Sequence, residues 1–178
     1  KKLLNSFLNN YNLGKVKKFV GIKEGIENTN YLLQTEKDKF ILTIYEKRVN
    51  INDLPFFIGL MTNLYNSKFK CPKPIINNNG NYISEILGKK AAVVSFLEGS
   101  TKKSLSPENC YKVGIETAKF HKITKGLTLK RRNNLSLNHW SQIFTKVEKD
   151  CSKIHKNLPK IIKKSLQEIK ENWPKKLP

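Results

Sequence analysis

Arginine and acid are scarce in this chain. Of its 178 residues, 34 are basic and 14 acidic, a formal charge of +20, yet Arg occurs only at 48, 131 and 132. Sequence-reading nucleic-acid surfaces lean on Arg for bidentate contacts, so a specific nucleic-acid interface is not the expectation. The lysines run through the whole chain beside abundant Asn and Ile, a pattern that fits compositional bias at least as well as a binding footprint. Their charge still predicts non-specific adhesion to polyanions at low salt. Cysteine is sparse as well. Cys71, Cys110 and Cys151 stand about forty residues apart with no CxxC pair or Cys/His cluster, which argues against a zinc site. Their odd number argues against a disulfide framework and for a reducing compartment. No apolar run approaches the roughly eighteen residues of a membrane helix. No signal peptide is visible at residue 1, so a cytoplasmic location is expected, although a chain that does not open on Met leaves export open. A P-loop is missing too, since GxxxxGK[ST] does not occur.

What is present centres on residues 21–45, GIKEGIENTNYLLQTEKDKFILTIY. Gly21 and Gly25, followed by Asn28, Thr29 and Asn30, make a loop rich in hydrogen-bonding groups. Tyr31, Leu32 and Leu33 form a short apolar run, Glu36–Lys39 a polar turn, and Phe40, Leu42 and Ile44 alternate against Ile41, Thr43 and Tyr45 in strand period. A loop of this composition can turn backbone N–H groups toward an anion, and it serves hairpin geometry equally well. A strand rather than a helix follows it, which sets it apart from a dinucleotide fingerprint.

In chain order, Leu3, Leu4, Phe7, Leu8 and Tyr11 share one helical face over 3–11. Strands are expected at 16–22, 29–35 and 39–45, a meander. Over 53–69 the period becomes helical through Leu54, Phe57, Ile58, Met61, Leu64 and Tyr65, with Pro55 in the first turn. Cys71–Pro74 is a stiff connector. Residues 75–76, the turn 77–80 and 82–87 read as a hairpin, and 90–97 as a central apolar strand. The sheet is expected to have five antiparallel strands. After Gly99 the pattern is helical: a helix capped by Ser106 with Pro107 at its first position, a second over 137–154, a third over 159–173. At this length the chain is one domain, or one lobe and part of another.

Several pieces match a known group in its order across residues 3–125: GIKEGIENTNYLL, FILTIYEK, DLPFFIGLMTNLY, CPKPI, VVSFLEG and SPENCYKVGIETAKFH. The sequence resembles the aminoglycoside phosphotransferase/choline kinase-like family, and within it is most similar to the homoserine kinases of the phosphotransferase type. The resemblance implies an α+β, protein-kinase-like fold. Residues 1–97 would form a nucleotide-binding lobe, 98–105 a hinge and linker, and 106–178 the start of an incomplete helical lobe. It implies ATP-dependent phosphorylation of the hydroxyl of L-homoserine in threonine biosynthesis, with ATP and Mg²⁺ as cofactors. No specific nucleic acid or membrane partner is implied, and the oligomeric state is left open. Alternatives are a kinase of choline or an aminoglycoside, or a basic nucleic-acid-binding module.

The same resemblance implies the site. Gly25, Asn28 and Thr29 belong to the loop over the phosphates, and Ile22, Ile41 and Val94 are apolar walls. The backbone of Ser95, Phe96 and Leu97 would read the adenine edge. Thr43 stands where most kinase-like enzymes carry a phosphate-pairing Lys, with its hydroxyl expected near a phosphate. Lys23 is a weaker candidate for charge neutralisation, and Glu24 and Glu27 flank the loop glycine. The family's HxDxxxxN segment and later Asp, which would supply the catalytic residues and the metal ligands, are expected beyond residue 178, so the chain is expected to be inactive by itself. The aspartates present, 38, 53 and 150, have no such neighbourhood. His121 is read as a core or capping residue rather than a base, and His155 as exposed.

Overall fold

The computed structural model describes residues 2–23, 27–46, 49–102 and 104–174. They divide into two compact units, Lys1–Arg131 and Arg132–Pro178. The first is built on an antiparallel sheet. Its strands are β1 (Val16–Ile22), β2 (Asn28–Thr35), β3 (Lys39–Tyr45), β4 (Pro74–Ile75), β5 (Ile83–Ile86) and β6 (Lys89–Ser95), ordered β1-β2-β3-β6, with β4 and β5 both paired to the far edge of β6. That is one strand more than expected, because the two-residue β4 is a pairing of its own. Nor do 75–76 and 82–87 form a hairpin: Ile75 faces Val93 and Ile83 faces Ala92, so β4 and β5 follow one another along β6. The intervening asparagines explain it. Asn77 Oδ1 accepts the N–H groups of Asn79 and Asn81 at 3.0 and 2.9 Å. The Asn78 N–H reaches Asn10 O at 2.7 Å. The loop is held outward and rejoins the same edge.

Strand alternation gives the sheet two faces. One carries Leu33, Phe40, Leu42, Ala91 and Val93, packed under Phe7, Leu8 and Tyr11 of α1 (Lys2–Leu8) and its continuation. Leu33, Leu42 and Val93 are fully buried, each contributing roughly 1.5–3 kcal/mol of apolar burial. Tyr11 closes the layer with a 2.8 Å hydrogen bond between its hydroxyl and Ser84 Oγ, and burial pushes its phenol pKa up. α1 is shorter than its apolar period. Residues 9–10 follow as a turn and 11 as a bend, and Tyr11 stays on the core through a bond from its N–H to Leu8 O rather than a full helical turn.

α2 (Leu54–Asn66) follows a 3₁₀ turn at Ile51–Asp53, in which Asn50 Oδ1 caps Asn52 N–H. It buries Leu54, Ile58 and Leu64. Its end is a Schellman motif, Phe69 N–H to Leu64 O and Lys68 N–H to Tyr65 O, both 3.0 Å, with Lys68 at φ 61°. α3 (Pro107–Thr124) starts at the Ser106 cap and belongs to the same compact unit as the sheet, whereas its sequence placed it with the later helices. Phe120 meets Phe69 edge-on at 6.1 Å. Beyond α3 the chain returns to α2. Arg131 Nε bonds Asp53 Oδ2 at 2.6 Å and its guanidinium lies 5.1 Å from the Phe57 ring centre. A Cβ on Gly59 would meet Leu129 Cδ1 at 2.7 Å, so the leucine side chain lies close against the glycine and would have to shift for a larger residue.

The second unit is a pair of helices, α4 (Leu137–Ile154) and α5 (Leu158–Asn172). Among its described residues Phe144 is the buried one. Trp140 and Trp173 pack edge-on at 5.7 Å, and Lys170 Nζ donates to Ser141 Oγ at 2.7 Å.

Candidate functional site

The sheet face turned away from α1 is where the expected residues collect. Register sets Ile22, Asn30, Thr43 and Ala92 opposite one another in one row across β1, β2, β3 and β6, and Val20, Leu32, Ile41 and Val94 in the next. Ile22, Ile41, Thr43 and Val94 therefore share a face, and all four are partly buried. One end of it, around Leu32, Ile41 and Val94, is apolar. The other end, nearest the loop that follows Ile22, is polar: Asn28, Asn30 and Thr43.

The polar end has a defined hydrogen-bond pattern. Thr43 Oγ1 donates to Asn30 Oδ1 at 2.8 Å. The Thr43 proton is thus directed at a neighbouring side chain, a partner its sequence position did not disclose. Two residues along β2, Asn28 Oδ1 is buried and meets no partner among the described residues. A buried acceptor without a donor costs roughly 1–3 kcal/mol, and it marks the place where an added donor would be welcome. Tyr45, opposite Asn28, has its phenol pKa raised by burial.

Other expected residues lie elsewhere. Thr29 pairs with Ile44 on the α1 face and donates to Glu46 Oε1 at 2.8 Å. Glu46 also takes Lys89 Nζ at 2.5 Å. These two bonds, that from Lys89 first, hold its carboxyl below the usual carboxylate range. Gly25 and Glu24 fall outside the described residues, and Lys23 is exposed. At the end of β6, Ser95 is tied to the connector: its N–H donates to Lys73 O at 2.9 Å and its Oγ accepts Lys73 N–H at 2.8 Å. The Phe96 N–H donates to Lys39 O at 3.1 Å, with Lys39 Nζ 5.5 Å from the Phe96 ring and 2.6 Å from Glu98. Of the three N–H groups, that of Leu97 meets no acceptor among the described residues. A separate cavity of ≈ 560 Å³ lies between α2, β5 and residues 127–129, bordered by Ile58, Asn63, Ile83 and Leu129. Apart from Ile83, which continues the Ala92 row, it shares nothing with this face.

Residues 18–178 match the model of the phosphotransferase enzyme family. The chain belongs to that family. Over 175 residues, 98% of its length, it is 40% identical to a homoserine kinase of Agrobacterium fabrum. It is 39% identical to those of Xanthobacter autotrophicus and Bartonella henselae over the same span. It covers 54–55% of each, so the chain spans about half the length of the curated relatives it matches. A spectinomycin phosphotransferase solved with ADP and spectinomycin superposes with a TM-score of 0.69 over 99% of this chain and 59% of that one. At 12% identity that likeness shows the fold.

In this chain the aspartates are engaged away from the polar row. Asp38 accepts the Lys39 N–H at 2.8 Å, Asp53 holds Arg131, and Asp150 pairs with Lys153 at 2.6 Å. Among the described residues no cluster of three His, Cys, Asp or Glu side chains could hold a metal ion, so Mg²⁺ is given no ligand here. His121, expected as a core or capping residue, is exposed in the last turn of α3. His155 is exposed and ends α4, its N–H on Cys151 O. No helix among the described residues is long and apolar enough to cross a membrane. Asn30 is the site residue the sequence did not reveal; its one signal was that strand alternation puts it beside Asn28, two residues away.

Proposed function

We propose that the protein supplies the nucleotide-binding part of an ATP-dependent kinase acting on a small hydroxyl compound, with L-homoserine as acceptor and O-phospho-L-homoserine as product, a step of threonine biosynthesis. The observation that carries the acceptor is the 40% identity to a homoserine kinase across 98% of the chain. The observation that fits ATP is the two-ended face: an apolar half that suits a flat ring and a polar half of Asn28, Asn30 and Thr43 that suits the hydrogen-bonding remainder of a nucleotide. The adenine packs against Ile22, Ile41 and Val94, and the Leu97 N–H is the donor left to read its edge. Residues 1–97 act as the nucleotide lobe, 98–105 as hinge and linker, and 106–178 as the start of the helical lobe. Mg²⁺, when bound, neutralises phosphate charge; none of the described residues is assigned to it.

Two measurements test this. Calorimetric titration of residues 1–178 with MgATP is expected to show saturable binding, and its absence overturns the nucleotide reading. In a coupled ADP-release assay the 178-residue chain is expected to be inactive, because no Asp is placed to orient the acceptor hydroxyl. A longer form carrying an HxDxxxxN segment is expected to turn over homoserine in preference to choline or an aminoglycoside. Homoserine-dependent turnover by residues 1–178 refutes the first expectation, and a preference for choline refutes the acceptor.

A further inference from the structure

We infer that the phosphate end of the nucleotide is held by an uncharged pair, Asn30 with Thr43 behind it, in which Asn30 makes the contact and Thr43 positions it. The inference rests on the ATP reading of this face and names a residue for it.

The chemistry follows from the hydrogen-bond inventory. Asn offers one carbonyl oxygen and an amide with two donors. The Asn30 oxygen is taken by the Thr43 hydroxyl at 2.8 Å. With the oxygen placed on Thr43, the two N–H groups of the amide point away from it. Among the described residues they meet no protein acceptor, and they are not among the buried atoms that lack one, so they remain open to a ligand. Asn30 sits directly between Ile22 and Thr43 in the cross-sheet row. Ile22 leads into the loop, so the amide lies at the polar end, one row from the apolar wall of Leu32, Ile41 and Val94. Phosphate oxygens accept hydrogen bonds and donate none when ionised. An amide pinned with its donors outward fits them, and a Thr hydroxyl whose proton is already given away does not. Thr43 therefore acts through Asn30.

The test separates this inference from the nucleotide reading by titrating adenosine, AMP and ATP (with Mg²⁺) into residues 1–178. The wild type is expected to gain affinity from adenosine to ATP. Asn30→Ala is expected to weaken ATP about three- to tenfold, the effect of one charge-assisted bond lost in partial exposure to water, and to leave adenosine unchanged. Asn30→Asp keeps the shape and the acceptor for Thr43 but turns the donors into a carboxylate oxygen, so it is expected to fold normally, bind adenosine normally and lose ATP more severely than Ala does. Thr43→Val is expected to give a smaller loss in the wild type and none in the Asn30→Ala background, the non-additivity of two residues acting as one unit. If the wild type binds neither adenosine nor ATP, the nucleotide reading fails and takes the inference with it. If the wild type binds ATP and Asn30→Asp binds it as well, or if the Thr43 and Asn30 effects simply add, the inference alone is overturned.

Discussion

Glu46 gathers the ends of three strands. It follows β3 and accepts from Thr29 at the start of β2 and from Lys89 at the start of β6. Its carboxyl pKa is lowered, the Lys89 bond being the larger cause. The sign follows from linkage: a carboxylate whose folded value lies below its unfolded value, about 4.3, stabilises the fold above that value and loses the contribution as pH falls through the folded one. Urea midpoints measured from pH 7 down to pH 3 are expected to fall in the wild type below about pH 4.5. In Glu46→Gln the midpoint is expected to be lower at pH 7 and to fall less steeply on acidification. Parallel curves for the two proteins would remove Glu46 from this role. At this scale alternation within β3 was legible: Ile41 and Thr43 share a face, opposite Leu42 and Ile44. The pairing between strands was not. Antiparallel register decides which residues of β2 join them, and a one-residue shift exchanges the faces. That is why Thr29, a reasonable loop candidate by sequence, lies on the α1 side while its neighbour Asn30 bonds Thr43.

Elements with strong periodicity were readable in the sequence. The helix over 137–154 and the strands over 16–22 and 39–45 begin and end where their patterns do, because an amphipathic period of either kind is imposed by burial rather than by any single residue. Loops built from asparagine were not readable, since their conformation is set by side-chain bonds such as those of Asn77. The turn between β5 and β6 carries a prediction. Leu87 and Gly88 both have positive φ, 52° and 72°, the pattern of a two-residue hairpin turn that favours Asn-Gly. Leu87 is also 73% exposed, so its side chain gives little in return for a left-handed backbone. Leu87→Asn is expected to stabilise the protein by about 0.5–1 kcal/mol, seen as a raised urea midpoint with an unchanged slope. A lowered midpoint would mean that Leu87 makes packing the hairpin depends on.

At the scale of the whole chain, the boundary between the compact units is not the boundary of the proposed lobes. Cα packing divides the described structure at Arg131–Arg132, whereas the proposed hinge lies at 98–105. The reason is the return of the chain after α3: Leu129 fills the space that Gly59 leaves open, and Arg131 is fastened to Asp53 and Phe57. Sequence periodicity finds helices but not which of them a connector will be tied to. The positive charge, +20 overall, is a property of this scale as well.

The rarity of arginine turns that fastening into a practical handle. Two of the chain's three arginines stand side by side at the break between the units; the first is held to α2 by its 2.6 Å ion pair with Asp53, the second by a single 3.2 Å contact with His139 seven residues on. A protease specific for arginine therefore meets an unequal pair under native conditions. Scission is expected after Arg132 in preference to Arg131, with mass spectrometry finding a fragment that starts at Asn133. Asp53→Asn releases Arg131 and is expected to let cleavage spread to both bonds. Equal cutting in the wild type would show that the ion pair does not hold the backbone there.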